Sequence, residues 1–173
     1  MKKVGCFVGK FLPPHLGHLS VVDRAIKECD SVVVVLAENP EKSKERCRET
    51  NFPYFTPETR LRWFREHYKN NSNVEFVFFD ESGLKSFPDG LKEWSRKFKE
   101  VVGNKINVKY ADESYRHLNE EYFPECEFVP IDRDLIPVHG TNIRTDKNYL
   151  KYVIPEGYID IKNELEKGEK DYE

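Results

Sequence analysis

VGCFVGKFLPPHLGH, residues 4–18, runs from an apolar segment through two prolines into a histidine pair. The apolar segment is typical of a buried β-strand, and the prolines exclude regular structure from the loop that follows it. His15 and His18 are three residues apart, a spacing that places both imidazoles on one face of a helix. Backbone N–H groups at the start of such a helix attract anions. With Lys10 in the same turn, the segment predicts a phosphate site at a strand-to-helix junction.

Composition places the chain among ordinary soluble globular proteins. Of its 173 residues, 38% are hydrophobic and 34% are charged, and the net charge is -3. This size predicts one domain with a substantial core. The charge balance offers no broad basic excess for a nucleic acid, and the longest apolar run, residues 32–37, is too short to cross a membrane. We therefore expect a cytoplasmic protein without nucleic-acid or membrane partners.

The four cysteines lack the spacing of a structural zinc site, because no two of them form a C-x-x-C pair. Cys6, Cys29 and Cys126 lie in apolar contexts and are predicted to be small buried side chains in a reducing compartment. Cys47 lies in a charged segment and is predicted to be exposed.

Strand-like and helix-like segments alternate along the chain. The predicted strands are residues 3–9, 31–37, 74–79, 106–110 and 127–131, and the predicted helices are 16–29, 57–69, 91–102 and 142–153. This alternation predicts an α/β fold, with a doubly wound, five-stranded parallel sheet covered by helices on both faces. Such sheets bind ligands beyond the carboxyl ends of their strands, at the point where the strand order reverses.

Polar segments separate or follow these elements. Residues 38–55 are predicted as a long loop whose basic part, 42–48, alternates with glutamates. That pattern is typical of a solvated face, and the alternative is a lid that closes over a triphosphate. Thr141 is predicted to cap the last helix. We place the main domain at residues 1–158 and interpret 159–173 as a charged tail that forms a short surface helix or an oligomer contact.

Two motifs resemble a known enzyme superfamily. GKFLPPHLGH, residues 9–18, resembles the first signature of the HxGH nucleotidyltransferases, and VHGTNIR, residues 138–144, resembles their second, I-S-x-T-x-x-R. Residues 57–63, 90–95 and 112–115 are similar to the nicotinamide mononucleotide (NMN) adenylyltransferase domain of NadR-type proteins. The resemblance covers about residues 1–158 and implies a Rossmann-like nucleotidyltransferase domain. It also implies a reaction that joins a phosphomonoester to the α-phosphorus of a nucleoside triphosphate and releases pyrophosphate.

The resemblance assigns catalytic roles to the first signature. His18 is expected to contact the α-phosphate and stabilise the transition state, and His15 to contact the phosphates beside it. Lys10 is expected to bind a phosphate or the acceptor. Gly17 is expected to admit the nucleotide, because a side chain there would block its close approach.

The resemblance also implies a nucleotide-binding set, namely Gly9, Phe11, Gly17, His139, Gly140, Thr141 and Arg144. Thr141 and the amides of its helix are expected to hold the β- and γ-phosphates, and Arg144 to neutralise them. Mg²⁺ is expected to bridge the triphosphate through phosphate oxygens and water, without a metal site on the protein. The chain departs from the family pattern at His139, which replaces the serine of the second signature.

The acceptor-binding residues have two interpretations each. Trp94 lies on the apolar stripe of its helix and either packs in the core or stacks on a nicotinamide ring. Arg62, like Arg60, either holds the acceptor phosphate or is a solvated helix residue. Glu113, like Asp112, is either a substrate contact or part of a surface loop.

The function expected from the sequence is an adenylyltransferase that makes NAD from NMN and ATP. One alternative is the same chemistry on another phosphomonoester, such as phosphopantetheine, FMN or an alcohol phosphate with CTP. The other is a non-catalytic nucleotide sensor, which His139 favours because it alters a phosphate-binding position. The preference for NMN or its deamidated acid, and the oligomeric state, stay open at this point.

Overall fold

Five parallel strands form one sheet in the order β3-β2-β1-β4-β5. The structure is a computed structural model that describes residues 2–132, 138–168 and 172, apart from the side chain of Asn104. The strands are β1 (Val4–Gly9), β2 (Ser31–Glu38), β3 (Val74–Asp80), β4 (Val108–Ala111) and β5 (Glu127–Pro130). The helices are α1 (Leu16–Glu28), α2 (Pro40–Glu49), α3 (Pro57–His67), α4 (Leu91–Val102), α5 (Arg116–Tyr122), α6 (Gly140–Thr145) and α7 (Pro155–Glu166).

This architecture confirms the predicted doubly wound, Rossmann-like α/β fold. The strand order reverses between β1 and β4, so the carboxyl ends of these two strands border a crevice. The inner strand β2 is buried on both faces, as its valines predict: Val34 packs in one core layer and Val35 in the other. One layer lies against α1, α3 and α7, and the other lies against α4.

The predicted polar loop 38–55 is wrong, because it contains the helix α2. Asn39 caps this helix through its side-chain oxygen, which accepts a hydrogen bond from the backbone N–H of Glu41, and Pro40 occupies the first helical position. The helix is rich in Glu, Lys and Arg, which are strong helix formers, and its apolar positions are too sparse to show a period. Cys47 faces inward and is fully buried rather than exposed, and Cys6, Cys29 and Cys126 are buried as predicted.

The predicted helix 142–153 is also corrected. The helix α6 ends at Thr145, and a 3-10 helix, Lys147–Tyr152, follows it. Asp146 separates the two because its side chain accepts a hydrogen bond from the backbone N–H of Asn148 and starts the second turn. The N-cap of α6 is His139, whose backbone N–H donates to Asn142 Oδ1, so Thr141 lies inside the helix rather than at its cap.

The charged C-terminal segment forms the helix α7, which packs on α3. Gly157 and Ile161 are buried, and Trp63 Nε1 donates to Asp160 Oδ2 at 2.8 Å. The predicted boundary after residue 158 therefore falls within a helix that belongs to the core. Residues 169–171 and 173 of the predicted tail lie outside the described residues. Within the described part of the chain, no helix has the length and apolar character needed to span a bilayer.

Candidate active site

A cleft of about 990 Å³ opens where the strand order reverses, and it brings the two signatures together. The predicted site residues that line it are Gly9, Lys10, Phe11, His15, Gly17, His18, Trp94, His139, Gly140, Thr141 and Arg144. We call the part lined by Lys10, His15, His18, Thr141 and Arg144 the signature half. We call the part lined by Phe87, Trp94, Tyr115, Tyr122 and Phe128 the aromatic half.

The two signature histidines are oriented by backbone hydrogen bonds at the start of α1. His15 is the N-cap, and its Nδ1 accepts from the Gly17 N–H at 3.1 Å. His18 Nδ1 accepts from the His15 N–H at 3.1 Å, and the two rings stack with centroids 3.7 Å apart. Because both Nδ1 atoms accept, these bonds assign the proton of each neutral ring to Nε2. Nε2–H is therefore the donor group of each neutral ring.

Gly17 is required by the position of the His15 ring. A Cβ atom at residue 17 would lie 2.8 Å from His15 Cε1, closer than real Cβ contacts allow. The sequence predicts that this glycine admits the nucleotide. The structure shows that a side chain at residue 17 would also clash with the His15 ring. Phe11 supports the second imidazole, since its buried ring meets His18 edge-on with centroids 4.7 Å apart.

The second signature contacts the first directly. Arg144 Nη1 donates to the backbone carbonyl of Leu12 at 2.5 Å, and Nη2 donates to Thr141 Oγ1 at 3.3 Å. A Cβ atom at Gly140 would lie 2.8 Å from the same Leu12 oxygen, so only glycine permits this approach. Burial lowers the pKa of Arg144, but a guanidinium keeps its charge at neutral pH. The two motifs therefore form one structural unit with a cation at its centre.

Arg60 holds the loop of the first signature, residues 10–14, in place. The sequence did not predict this role. Arg60 is 1% exposed and donates to the backbone carbonyls of Lys10 and Phe11 at 2.7 and 3.1 Å. It also pairs with Glu38, which is completely buried and accepts from Tyr54 Oη at 2.7 Å. Burial, followed by the bond to Glu38, raises the pKa of Tyr54. Because Arg60 is committed to these partners, it does not serve the acceptor phosphate.

The helix α2 places its charges on two sides. Lys42 and Arg46, one turn apart, line the cleft. Glu41 and Glu45 are exposed and form ion pairs with neighbouring lysine and arginine side chains of α2. The charge of Arg46 also lowers the pKa of Arg144, after the larger effect of burial. The segment that looked like a balanced solvated loop thus adds two cations to the cleft, which only its helical period reveals.

Trp94 packs on the core, as one of its two interpretations predicts, and it also borders the cleft; stacking on a nicotinamide ring stays a prediction. Its ring stacks on Phe98 with centroids 4.8 Å apart and an angle of 11°, as a core residue does, yet it also lines the cleft. Its Nε1 donates to Glu81 Oε2 at 2.7 Å, and Glu81 Oε1 lies 3.5 Å from Lys10 Nζ. Glu81 therefore links the signature half to the aromatic half. The sequence did not single it out, although it directly follows β3 at the ligand-binding edge of the sheet.

The structure does not bring Arg62 and Glu113 to the cleft. Arg62 is 63% exposed on the outer face of α3 and pairs with Asp160 at 3.2 Å. Glu113 is exposed and accepts two hydrogen bonds from Arg116, which lower its pKa. Both side chains form ion pairs on the surface. This agrees with the interpretation of Arg62 as a solvated helix residue and of Glu113 as part of a surface loop.

Residues 6–148 match the family described as Cytidylyltransferase-like. The chain belongs to this family. The match spans both signatures and confirms their resemblance to the HxGH nucleotidyltransferases.

Two relatives of this chain have names that point to different metabolic products. The trifunctional NAD biosynthesis/regulator protein NadR of Salmonella typhimurium is 25% identical over 159 residues, which is 88% of this chain and 39% of that protein. The chain therefore spans about two fifths of the length of that relative. The phosphopantetheine adenylyltransferase of Dictyoglomus turgidum is 32% identical over 130 residues, 75% of this chain and 72% of that enzyme.

Two solved structures share the fold of this chain. A structure of NadR in complex with NR has a TM-score of 0.73 at 22% identity and covers 90% of this chain and 44% of that one. A bifunctional NMN adenylyltransferase/ADP ribose pyrophosphatase from Francisella tularensis has a TM-score of 0.69 at 15% identity, covering 96% and 50%.

Proposed function

We propose that this nucleotidyltransferase joins NMN to the AMP moiety of ATP, giving NAD and pyrophosphate. The observation that carries the proposal is Trp94, an indole in the cleft wall that Glu81 connects to the signature half. An aromatic ring at that place offers a stacking surface for a pyridine ring. The similarity to proteins named for NAD biosynthesis supports the same acceptor.

The reaction needs charge stabilisation rather than a general base. The acceptor is a phosphate whose second pKa is near 6, so it is already ionised at neutral pH. One of its oxygens attacks the α-phosphorus of ATP, the bond from that phosphorus to the β-phosphate oxygen breaks, and pyrophosphate leaves with the electron pair. The obstacle is to bring two anions together and to stabilise the leaving group, which positioning and fixed donors achieve.

The residues of the signature half suit these tasks. His18 and His15 would donate from Nε2 to the α-phosphate and its neighbours, because their Nδ1 atoms are engaged with the backbone. Arg144 would neutralise the β- and γ-phosphates from the second signature. Lys42 and Arg46 extend the positive surface toward the leaving pyrophosphate.

The predicted Mg²⁺ is part of this proposal. Among the described residues, no group of three or more His, Cys, Asp or Glu side chains is arranged to hold a metal ion. The signature residues are N–H donors and cations, which suit phosphate oxygens, so a metal ion would be carried by the triphosphate itself. When bound, it supplies charge neutralisation on the leaving pyrophosphate. A cytoplasmic location and a homo-oligomeric state stay predictions.

Phosphopantetheine is the second candidate acceptor. The Dictyoglomus turgidum enzyme is named for it and is 32% identical over most of its length. An acceptor panel separates the candidates: pyrophosphate release is measured with ATP and NMN, phosphopantetheine or FMN, and with CTP and an alcohol phosphate. We expect turnover with NMN and ATP, lowered about 10²–10³-fold in His18→Ala. Turnover with phosphopantetheine alone would replace NMN as the acceptor.

The sensor alternative rests on His139 at the N-cap of α6. A sensor would bind ATP or NAD without turnover, and His18→Ala would change its affinity rather than a rate. Against it, Gly17, both signature histidines, Thr141 and Arg144 are present and line one cleft. The same pyrophosphate assay, combined with binding calorimetry, distinguishes an enzyme from a sensor.

A further inference from the structure

Glu81 places a negative charge in a cleft whose signature half is cationic. It directly follows β3, its side chain is 22% exposed, and it lines the cleft. The two signatures do not include it. A carboxylate repels incoming phosphates unless a cation lies beside it, so the role of Glu81 depends on the groups that it contacts.

The carboxylate of Glu81 holds one donor from each half of the cleft. Oε2 accepts from Trp94 Nε1 at 2.7 Å, and Oε1 lies 3.5 Å from Lys10 Nζ. An indole N–H and an ammonium are donors only, so a group with two acceptor oxygens is needed to satisfy both at once. A carboxylate has them, whereas the amide of a glutamine has one acceptor and one donor.

The backbone of Glu81 is fixed to the sheet. Its N–H donates to the carbonyl of Glu38, at the end of β2, at 2.8 Å, and its own carbonyl accepts from the N–H of Leu84 at 3.2 Å. The side chain of Glu38 pairs with Arg60, which also donates to the backbone carbonyl of Lys10. Both members of the Lys10–Glu81 pair are therefore attached, through their backbones, to the same buried ion pair.

The contacts of Glu81 orient the indole and leave the ammonium available. The Phe98 ring stacks on Trp94 at an angle of 11°, which sets the plane of the indole, and the bond to Glu81 sets its rotation within that plane. The ammonium of Lys10 has three donors, so it can hold Glu81 and still donate to a phosphate oxygen. One carboxylate thus fixes the separation between a phosphate donor and an aromatic surface.

We infer that Glu81 is a positioning residue for the transfer reaction, an inference that rests on the proposed function. It holds Lys10 and Trp94 at one separation, so that a substrate phosphate on the lysine and the acceptor ring on the indole meet in the geometry that transfer requires. Its effect on the reaction passes through these two side chains. The pair with Lys10 is partly exposed, so it contributes little to folding.

Kinetic double-mutant cycles test this inference. Glu81→Gln keeps the size of the side chain but can accept from only one partner, so we expect kcat/KM for NMN to fall about tenfold. In the Lys10→Met background and in the Trp94→Leu background, the same substitution should cost below about threefold, because one of the two contacts is already absent. The urea midpoint of unfolding should stay at the wild-type value in Glu81→Gln.

Asp160→Asn is the matched control. The carboxylate of Asp160 also accepts from an indole N–H, that of Trp63 at 2.8 Å, and also pairs with a cation, Arg62 at 3.2 Å. It belongs to the described residues that lie outside the cleft. The same change from carboxylate to amide should therefore leave kcat/KM for NMN within about twofold of the wild type.

The positioning role would be overturned, with NMN kept as the acceptor, by any of four results. These are an unchanged kcat/KM in Glu81→Gln, an equal loss from this substitution in all three backgrounds, an equal loss in Asp160→Asn, and a lowered urea midpoint in Glu81→Gln, which would show a structural role instead. Absence of NMN turnover in the wild type would overturn the proposed function and the positioning role together.

Discussion

The signature half of the cleft is held by backbone hydrogen bonds, whereas the aromatic half is held by side chains that pack on one another. His15 and His18 are oriented by N–H groups within three residues of themselves. Trp94 is oriented by the Phe98 ring and by Glu81, which comes from a different element. Because the signature half depends on local backbone contacts, it can be recognised in the sequence as a motif. The aromatic half depends on side chains that are distant in sequence, so it leaves no contiguous motif.

The two halves of the cleft also differ in the task that we propose for each. Phosphate transfer requires donors at fixed positions, which a helix start and a short loop provide. We propose that the acceptor is recognised through the shape of the aromatic half, to which α4, β4 and α5 contribute residues.

The largest expected effect concerns the support of the signature half. Arg60→Met leaves the carboxylate of Glu38 buried without its cation and removes two hydrogen bonds to the signature loop. Breaking a buried ion pair on one side costs about 3–5 kcal/mol, so the free energy of unfolding in urea should fall by that amount. Arg62→Met, which breaks an exposed pair two residues away, should cost below about 1 kcal/mol. Equal losses would refute the anchoring role.

Catalysis should depend most on His18. His18→Ala removes a donor aimed at the α-phosphate, so kcat should fall by about 10²–10³ with a modest change in KM. Pyrophosphate release under saturating ATP and NMN measures this. His117→Ala, which removes an exposed histidine of α5, is the matched control and should keep the wild-type rate. A near-normal kcat with a raised KM would assign His18 to ground-state binding instead.

A smaller effect is expected in the aromatic half. Trp94→Leu retains apolar packing on Phe98 but loses the indole face and its bond to Glu81. We expect the KM for NMN to rise about tenfold, as for the loss of one stacking contact, with little change for ATP. Trp63→Leu is the control, because Trp63 also donates to a carboxylate but is buried away from the cleft. If both KM values move together in Trp94→Leu, the stacking role fails.

The smallest effects are expected at two residues that the structure leaves outside the cleft. Arg62→Ala and Glu113→Gln should change the KM for NMN by less than about twofold, because both side chains are engaged at the surface. Initial-rate measurements at varied NMN detect larger changes. A tenfold rise in either variant would show that the aromatic half rearranges around the acceptor.

Most elements and all of the signature half were predictable from the sequence. The strands and amphipathic helices carry clear periods, and the signatures are contiguous. The helix α2 was not predictable in the same way, because its inward face consists of Ser43 and Cys47 among charged residues. Thr141 was taken as a cap because threonine is a good N-cap, but the chain enters α6 earlier, at His139.

At the site, the sequence could not predict which charged side chains are buried and which are exposed. Arginine at positions 60 and 62 has the same intrinsic chemistry, and only the packing of α3 turns Arg60 inward to Glu38 and Arg62 outward to Asp160. Lys109 has no local signature at all, since a lysine in a strand is usually solvated. Its contact with two aromatic rings exists only because β4 lies beneath α4 and α5.

The sequence by itself determined the α/β class, the family and the two signature motifs, because these depend on periodicity and on residues that are neighbours along the chain. The tertiary structure decided which cations face the cleft, which arginine anchors the loop of the first signature and which aromatic side chains line the aromatic half. Those outcomes depend on contacts between residues that are distant in sequence, and the burial of such residues is set by the packing of whole elements.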